Sequence, residues 1–201
     1  CFVLPDGVDN DVGAAYGNGY ATSLYALRDR GKLQPGETLL VHGAAGGVGL
    51  AAVDLGRTMG ARVIATARGA EKASVLKTYG VEAVIDYTDG PFKDQVNALT
   101  DGAGADVIYD PVGGDVFDQS LRCINWDGRL LVIGFAGGTI PQAPANLPLL
   151  KSCSIVGVSL GGYRQRAPTA VRDMHGTLLS WIVEGRITPR VAARFPVAEI
   201  T

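Results

Sequence analysis

The sequence predicts a doubly wound α/β fold, in which a six-stranded, mostly parallel sheet carries helices on both faces. Short apolar runs alternate with segments of helical periodicity along most of the chain, which is the pattern of repeated β-α units. The apolar runs lack the polar–apolar alternation of half-exposed strands, as expected where helices cover both sides of the sheet. A glycine-rich turn also follows the first run, where such folds place a ligand.

The first predicted element is a helix that Asp11 caps and that extends to about Arg30. Small and apolar residues form most of one face of this helix. Gly17 and Gly19 are expected to kink this helix or to shift its start to a later residue, because glycine disfavours helix interiors. The pair at 35–36, Pro-Gly, then marks a turn before the first strand.

The turn after that strand, 38–42, contains three glycines at G-x-x-G-x-x-G spacing: Gly43, Gly46 and Gly49. This spacing is a variant of the G-x-G-x-x-G fingerprint of dinucleotide binding. Glycines let backbone N–H groups approach a pyrophosphate, and the N-terminus of the next helix supplies partial positive charge. The spacing alone could be a tight connection, but its place between a strand and a helix favours a dinucleotide cradle.

The helix after the turn is expected to pack one apolar face on the sheet. Its apolar residues recur at helical spacing: Val48, Ala51, Ala52, Leu55 and Met59. Asp54, Arg57 and Thr58 are expected to lie away from that face.

Five further strands and four further helices complete the predicted pattern. The strands are expected at 62–67, 83–87, 105–110, 128–134 and 154–159, and the helices at 71–79, 92–100, 115–124 and 169–184. The order of strands in the sheet cannot be derived from the sequence, but 3-2-1-4-5-6 is the order expected of a Rossmann-type domain.

Composition argues against several classes of partner and location. The 201 residues are 47% apolar and carry a net charge of −2, so no basic surface for nucleic acid or anionic membranes is indicated. No apolar run is long enough to span a bilayer. Three widely spaced cysteines, Cys1, Cys123 and Cys153, predict free thiols and a cytoplasmic location rather than a disulfide framework.

The tip of the second strand favours NADP(H) over NAD(H). NAD binders place an Asp or Glu there for the ribose 2′-hydroxyl, whereas this chain has Arg68 and Lys72 around the loop. A 2′-phosphate requires cationic donors. Alternatively, both are ordinary solvated charges, with Glu71 pairing locally. Tyr87 lies at the end of the third strand. It either covers the adenosine part of the cofactor or is an aromatic residue at the edge of the hydrophobic core.

Several motifs resemble those of quinone oxidoreductases, the zeta-crystallin-like branch of the zinc-independent medium-chain dehydrogenase/reductase superfamily. The matching segments are 41–49, 64–67, 110–114 and 128–134, together with Lys72. The resemblance implies a single NADP-binding Rossmann domain over 1–201. Segments 1–12 and 186–201 would then be remnants of connections to an absent GroES-like catalytic domain, since the chain starts without Met and both ends look cut.

The resemblance also implies a set of cofactor-binding residues. Four would bind the pyrophosphate: Ala45, Gly46, Gly47 and Val48. Three would bind the 2′-phosphate end: Arg68, Lys72 and Tyr87. Relatives often have glycine at the position of Arg68. Five would lie against the nicotinamide: Thr22, Val112, Ile133, Phe135 and Ser159. No residue stands out as a proton donor. Asp110 either contributes a carboxylate to the cofactor crevice or caps the next helix through Pro111.

A catalytic zinc is not expected. The zinc-dependent branch of the superfamily has a cysteine ligand four residues before the position of Thr22, and this chain has Asn18 there. The sequence has no Cys/His cluster with ligand spacing. His42 is predicted to be a structural hydrogen-bonding residue, and His175 is predicted to lie on a helix surface.

The expected function is NADPH-dependent hydride transfer to a quinone or an activated alkene, with the isolated domain turning over slowly or not at all. One alternative is an enoyl-thioester reductase of the same superfamily, and another is a non-catalytic nucleotide-binding module. The partner is expected to be a small molecule. A homodimer through the last strand, a candidate sheet edge, is also expected.

Overall fold

The computed structural model of the chain describes residues 3–88 and 90–199. Within these ranges six strands form one sheet: β1 (Thr38–Val41), β2 (Arg62–Ala67), β3 (Ala83–Asp86), β4 (Ala105–Asp110), β5 (Ile124–Val132) and β6 (Ser154–Gly157). Their order is β3-β2-β1-β4-β5-β6, and the pairings are parallel. The predicted fold class and strand order are therefore confirmed. Cys1 and the terminal pair at 200–201 lie outside the described residues.

Helices cover both faces of the sheet. Those in the described ranges are α1 (Asn10–Leu24), α2 (Gly47–Thr58), α3 (Ala70–Thr78), α4 (Phe92–Leu99), α5 (Asp115–Cys123), α6 (Asn146–Lys151), α7 (Leu160–Arg166) and α8 (Pro168–Val183). Helix α1 continues directly into a π-helical segment, Tyr25–Arg30. No helix in this part of the chain is long and apolar enough to cross a bilayer.

Strand residues divide between two cores, one on each face of the sheet. Leu39 and Val41 of β1 belong to the core shared with α1, α2 and α8, whereas Leu40 belongs to the core shared with α4 and α5. Burial on both faces explains the continuous apolar runs of the strands.

Helix α1 begins two residues earlier than predicted and is not interrupted. The Asp9 carboxylate, rather than Asp11, caps it by accepting a hydrogen bond from the backbone N–H of Asp11 at 2.7 Å. Gly17 and Gly19 both lie within the continuous helix. A Cβ at Gly19 would lie 3.3 Å from the carbonyl oxygen of Gly47, so this glycine permits close contact between α1 and α2.

Asp54 is buried, contrary to the prediction from helical periodicity. It is 1% exposed because α1 covers the side of α2 that faces away from the sheet. The Asp54 carboxylate accepts hydrogen bonds from the Tyr20 hydroxyl at 2.8 Å and from the Thr188 N–H at 2.7 Å. Burial raises the pKa of Asp54, and these two bonds act in the opposite direction.

His175 is also buried rather than on a helix surface. It is 4% exposed on α8, and its ring meets the edge of Tyr16 at a centroid distance of 5.8 Å. Burial lowers the pKa of His175, and the positive charge of Arg164 lowers it further. Its neighbours come from α1, so the periodicity of α8 alone could not reveal this contact.

The remaining differences concern element ends and two short helices. Strand β5 begins at Ile124, where the predicted strand begins at 128, and β6 ends two residues before the predicted end at 159. Helices α6 and α7 were not predicted, because Pro148 lies in α6 and the pair at 161–162, Gly-Gly, lies in α7.

Candidate cofactor-binding site

The glycine-rich loop forms a tight turn from β1 into α2. Gly43 has a φ of +54°, which glycine adopts without steric cost. The N–H of Gly46 donates to the carbonyl of Gly43 at 2.9 Å. At Gly49, a Cβ would overlap that same carbonyl oxygen. Gly49 is therefore required by the path of the chain, and the positive φ at Gly43 favours glycine, independently of any ligand.

The first turn of α2 presents backbone donors to the exterior. Gly46, the N-cap residue, and Gly47 are exposed, while Ala45 and Val48 are half-buried. The first N–H groups of an α-helix have no intrahelical acceptor, and the helix dipole adds positive potential there. No atom lies within 4 Å of a Cβ position at Gly47, so a phosphate group has access to this turn. The cradle fits the pyrophosphate of a dinucleotide.

Helix α1 is fixed against the cradle by a buried hydroxyl pair. The Ser23 hydroxyl donates to the carbonyl of Val48 at 2.9 Å. The Tyr109 hydroxyl, at the end of β4, lies 2.9 Å from Ser23 Oγ and therefore donates to it. Burial raises the pKa of Tyr109, so this hydroxyl stays protonated. Thr22, the neighbour of Ser23, is thereby held on α1 beside the first turn of α2.

A cavity of about 240 Å³ opens at the carboxyl ends of β1 to β4. It brings three of the predicted residues, Arg68, Tyr87 and Val112, together with Gly43 of the cradle. The Arg68 guanidinium carbon lies 5.5 Å from the centroid of the Tyr87 ring, within cation–π distance. These residues form a partly aromatic, cationic wall next to the phosphate cradle.

His42 lines the inner wall of this cavity as a neutral, fully hydrogen-bonded side chain. The Ser120 hydroxyl donates to the Val116 carbonyl at 2.7 Å, so it accepts from Nε2–H of His42 at 2.8 Å. Nδ1 of His42 then accepts from the Thr66 hydroxyl at 3.0 Å. Burial lowers the pKa of His42 to about 3. The predicted structural role of this histidine is confirmed.

Asp86 is a further carboxylate near the cavity that holds Arg68 and Tyr87, and no motif in the sequence marks it. It pairs in register with Ala67, the last residue of β2. One oxygen accepts from the Gly69 N–H at 2.7 Å, and the other accepts from the N–H and hydroxyl of Thr88 at 3.0 and 2.7 Å. The Thr88 bonds, then the Gly69 bond and the charge of Arg68, lower the pKa of Asp86. Parallel register between β2 and β3 was the signal that could have located it.

Asp110 organises the turn after β4 rather than pointing into open space. It is 2% exposed, and its carboxylate accepts from the N–H groups of Val112 at 2.8 Å and Gly113 at 3.0 Å. Burial raises the pKa of Asp110. A Cβ at Gly113 would lie 3.0 Å from Cδ1 of Phe135, so this turn packs directly on Phe135. Ile133 is half-buried, and its N–H donates to the Asp110 carbonyl at 2.9 Å.

Two predicted residues lie apart from this group. Ser159 caps α7 and lines a separate cavity of about 210 Å³ with Tyr25 and Arg30. Lys72 is exposed in the first turn of α3.

A larger cleft of about 740 Å³ lies between α1 and α8. Asn18, at the position of the cysteine ligand in the zinc-dependent branch, contributes to this cleft and accepts a long hydrogen bond of 3.5 Å from Arg164. Among the described residues, no group of three or more His, Cys, Asp or Glu side chains is placed to hold a metal ion. Cys123 and Cys153 are free and buried.

Comparisons with known proteins agree with this geometry. A family model described as zinc-binding dehydrogenase matches residues 47–176. Over 199 residues, the chain is 41% identical to a quinone oxidoreductase-like protein 2 homolog from Nematostella vectensis, covering 98% of this chain and 54% of that protein. The chain thus spans about half the length of the curated relatives that it matches.

Two solved structures share the fold over most of the chain. The mycobacterial protein Rv1454c, complexed with NADPH, superposes with a TM-score of 0.90 at 33% identity, covering 98% of this chain and 60% of that one. The nucleotide-binding subdomain of the enoylreductase domain of PpsC from Mycobacterium tuberculosis gives 0.76 at 31% identity, covering 87% of this chain and 98% of that one. The chain therefore belongs to the zinc-binding dehydrogenase family, in the quinone oxidoreductase-like part of the medium-chain dehydrogenase/reductase superfamily.

Proposed function

We propose that this chain is the NADPH-binding domain of an oxidoreductase that reduces quinones or activated alkenes. The observation that carries the proposal is the phosphate cradle at the first turn of α2, which adjoins the cavity with Arg68 and Tyr87. Reduced nicotinamide supplies a hydride when it is bound. The chain's own part is to orient the dinucleotide and to exclude water.

Each predicted residue has an assigned part of the dinucleotide in this proposal. The pyrophosphate is bound by Ala45, Gly46, Gly47 and Val48, the 2′-phosphate end by Arg68, Lys72 and Tyr87, and the nicotinamide end by Thr22, Val112, Ile133, Phe135 and Ser159.

The preference for NADPH over NADH is assigned to Arg68 and Lys72. A guanidinium and an ammonium group both favour a phosphate dianion over a hydroxyl. Asp86 is the nearby carboxylate, but hydrogen bonds from Gly69 and Thr88 already occupy its two oxygens. This engagement supports a role for Asp86 in shaping the loop rather than in binding a ribose hydroxyl.

Calorimetric titration of the chain with NADPH and NADH tests the assignment. We expect NADPH to bind more tightly by about 10- to 100-fold, and Arg68→Ala or Lys72→Ala to remove most of that difference. Lys77→Ala, in the last turn of the same helix as Lys72, is the matched control and should leave the ratio unchanged. Equal affinity for both cofactors in the unaltered chain would defeat the NADP assignment.

An enoyl-thioester reductase is the second candidate function. The likeness to the nucleotide-binding subdomain of the PpsC enoylreductase domain favours it. Assays of the full-length protein on 1,4-benzoquinone and on a crotonyl thioester separate the two enzymes by which acceptor is reduced. A protein that binds NADPH but reduces neither would instead be a non-catalytic nucleotide-binding module.

The remaining features of the proposal concern the protein around this domain. We assign segments 1–12 and 186–201 to connections with a GroES-like domain. We also propose that catalysis does not use zinc, since Asn18 replaces a cysteine ligand.

Free thiols at Cys123 and Cys153 favour a location in the cytoplasm. The isolated domain should bind cofactor but turn over slowly.

A further inference from the structure

The cleft between α1 and α8 has one charged side chain among its described lining residues. Arg164, from α7, is that residue, and the polar side chains beside it include Asn18, Tyr16 and His175. The cleft volume of about 740 Å³ is in the range of small-molecule sites. None of the described lining residues carries a carboxylate, so Arg164 supplies the formal charge of the lining.

Arg164 differs from two arginines that are paired with glutamates of neighbouring segments. Arg62 and Arg129 each contact a glutamate, at 2.5 and 2.7 Å. Within the described residues, no carboxylate oxygen lies within 4 Å of the Arg164 guanidinium, which donates a 3.5 Å hydrogen bond to Asn18 Oδ1. The charge of Arg164 lowers the pKa of His175, second to burial, so its field reaches into the cleft.

The cleft adjoins the phosphate cradle. Asn18 precedes Gly19, where a Cβ would lie 3.3 Å from the Gly47 carbonyl oxygen, and Gly47 is the first residue of α2. Thr22 follows Asn18 by one turn of α1 and is placed at the nicotinamide end in the proposed function. A molecule in this cleft therefore lies beside the reactive end of a dinucleotide bound in the cradle.

We propose that this cleft is the acceptor site, and that Arg164 with Asn18 binds an anionic group, a carboxylate or a phosphate, of an activated alkene. This inference rests on the proposed function and narrows its substrate class. A neutral quinone gives the guanidinium no anionic partner, whereas an anion gains a charge-assisted hydrogen bond from Arg164.

The reaction at this site balances without a further reductant. A hydride, carrying two electrons, forms a C–H bond at the β-carbon of the alkene, and NADPH is oxidised to NADP⁺. The π electron pair moves onto the carbonyl oxygen, and solvent then protonates the α-carbon. Arg164 keeps its proton throughout and holds the remote anionic group.

Steady-state kinetics of the full-length protein with matched acceptors tests the inference. One pair is crotonyl-4′-phosphopantetheine and crotonyl-pantetheine, which differ by the phosphate. The other pair is 7-oxooct-5-enoate and its methyl ester, which differ by the charge of a carboxylate that is not conjugated to the alkene. We expect a lower KM for the anionic member of at least one pair, by about tenfold, with kcat similar within the pair.

Variants of Arg164 connect that preference to this residue. Arg164→Gln should remove the charge preference, and Arg164→Lys should restore part of it. Arg122→Ala, which removes an exposed cation from α5 on the opposite face of the sheet, is the matched control and should retain the preference. Unchanged NADPH affinity of the Arg164 variants shows that they are folded.

The outcomes separate the two levels of the proposal. A preference in the first pair alone identifies a phosphate ligand, and one in the second pair alone identifies a carboxylate. NADPH oxidation without charge preference, or a preference that persists in Arg164→Gln, overturns the inference and leaves the proposed function standing. Failure to bind NADPH, or failure to reduce any acceptor, overturns the enzymatic proposal together with the inference.

Discussion

His42 is a titratable residue whose neutral state the fold requires. Its pKa falls from the ordinary 6.5 to about 3 on burial, and both ring nitrogens are engaged by Thr66 and Ser120. Between these two pH values the unfolded chain binds a proton that the folded chain does not. Stability therefore falls as the pH is lowered through this window.

Urea unfolding of the chain and of His42→Gln at pH 7 and about pH 4.5 measures this effect. The unaltered chain should lose ~2 kcal/mol more unfolding free energy over this range than the variant, because glutamine does not titrate. Other groups that titrate over the range contribute to both proteins and cancel in the difference. Equal losses would show that the pKa of His42 is not depressed in the folded chain.

The cradle glycines make different demands on the chain. A Cβ at Gly49 overlaps the backbone oxygen of Gly43, whereas a Cβ at Gly47 meets no atom within 4 Å. We expect Gly49→Ala to reduce the free energy of unfolding by about 1–3 kcal/mol, because backbone must move to make room. Gly47→Ala should leave stability unchanged or slightly higher. Thermal denaturation of both variants provides the comparison, and equal melting temperatures would contradict the steric argument.

At the scale of elements, Asp54 connects α1, α2 and the segment after α8. Its carboxylate accepts from Tyr20 of α1 and from the backbone of Thr188. Nearby, the Thr58 hydroxyl donates to the Arg186 carbonyl at 3.0 Å, and the Tyr79 hydroxyl donates to the Thr188 carbonyl at 2.9 Å. The segment after α8 is therefore bound to the dinucleotide fold by three side chains, two from α2 and one from Tyr79 at the end of α3.

Hydrogen exchange at the Thr188 amide tests this attachment. In Asp54→Ala the amide and the Tyr20 hydroxyl lose their acceptor, so protection of Thr188 should fall, and stability should drop by about 1–3 kcal/mol. Asp118→Ala, at an exposed position on α5, is the control for removing an acidic side chain. Retained protection of Thr188 in Asp54→Ala would mean that the other contacts suffice.

The strands and α2 were predictable because their signals are local. Apolar runs locate buried strands, and Gly43, Gly46 and Gly49 mark the turn between a strand and a helix. Asp54 and His175 were wrongly predicted to be exposed, because α1 packs on a second side of both α2 and α8. The periodicity of one helix does not show that another helix packs on its polar side. Asp86 joins the site through the register of β3 with β2, which is a tertiary property.

At the scale of the whole molecule, β6 is an edge strand with an exposed apolar side chain. It pairs only with β5 among the described strands, and Ile155 is 37% exposed. Sedimentation equilibrium should give the mass of two chains, and Ile155→Lys should give the mass of one, because a charge on the edge blocks pairing. Val183→Lys, at an exposed position on α8, is the control. A single-chain mass for the unaltered protein would contradict the predicted dimer.

The central position of β1 has a consequence for synthesis on the ribosome. β1 is an early strand in the chain, yet one of its neighbours, β4, begins only at Ala105. Until that segment leaves the exit tunnel, a nascent chain can pair β1 with β2, and β2 with β3, while the other edge of β1 stays open. Such an edge is a template for association with other chains. The interval between the emergence of β1 and the emergence of β4 is thus one in which a chaperone would protect this edge.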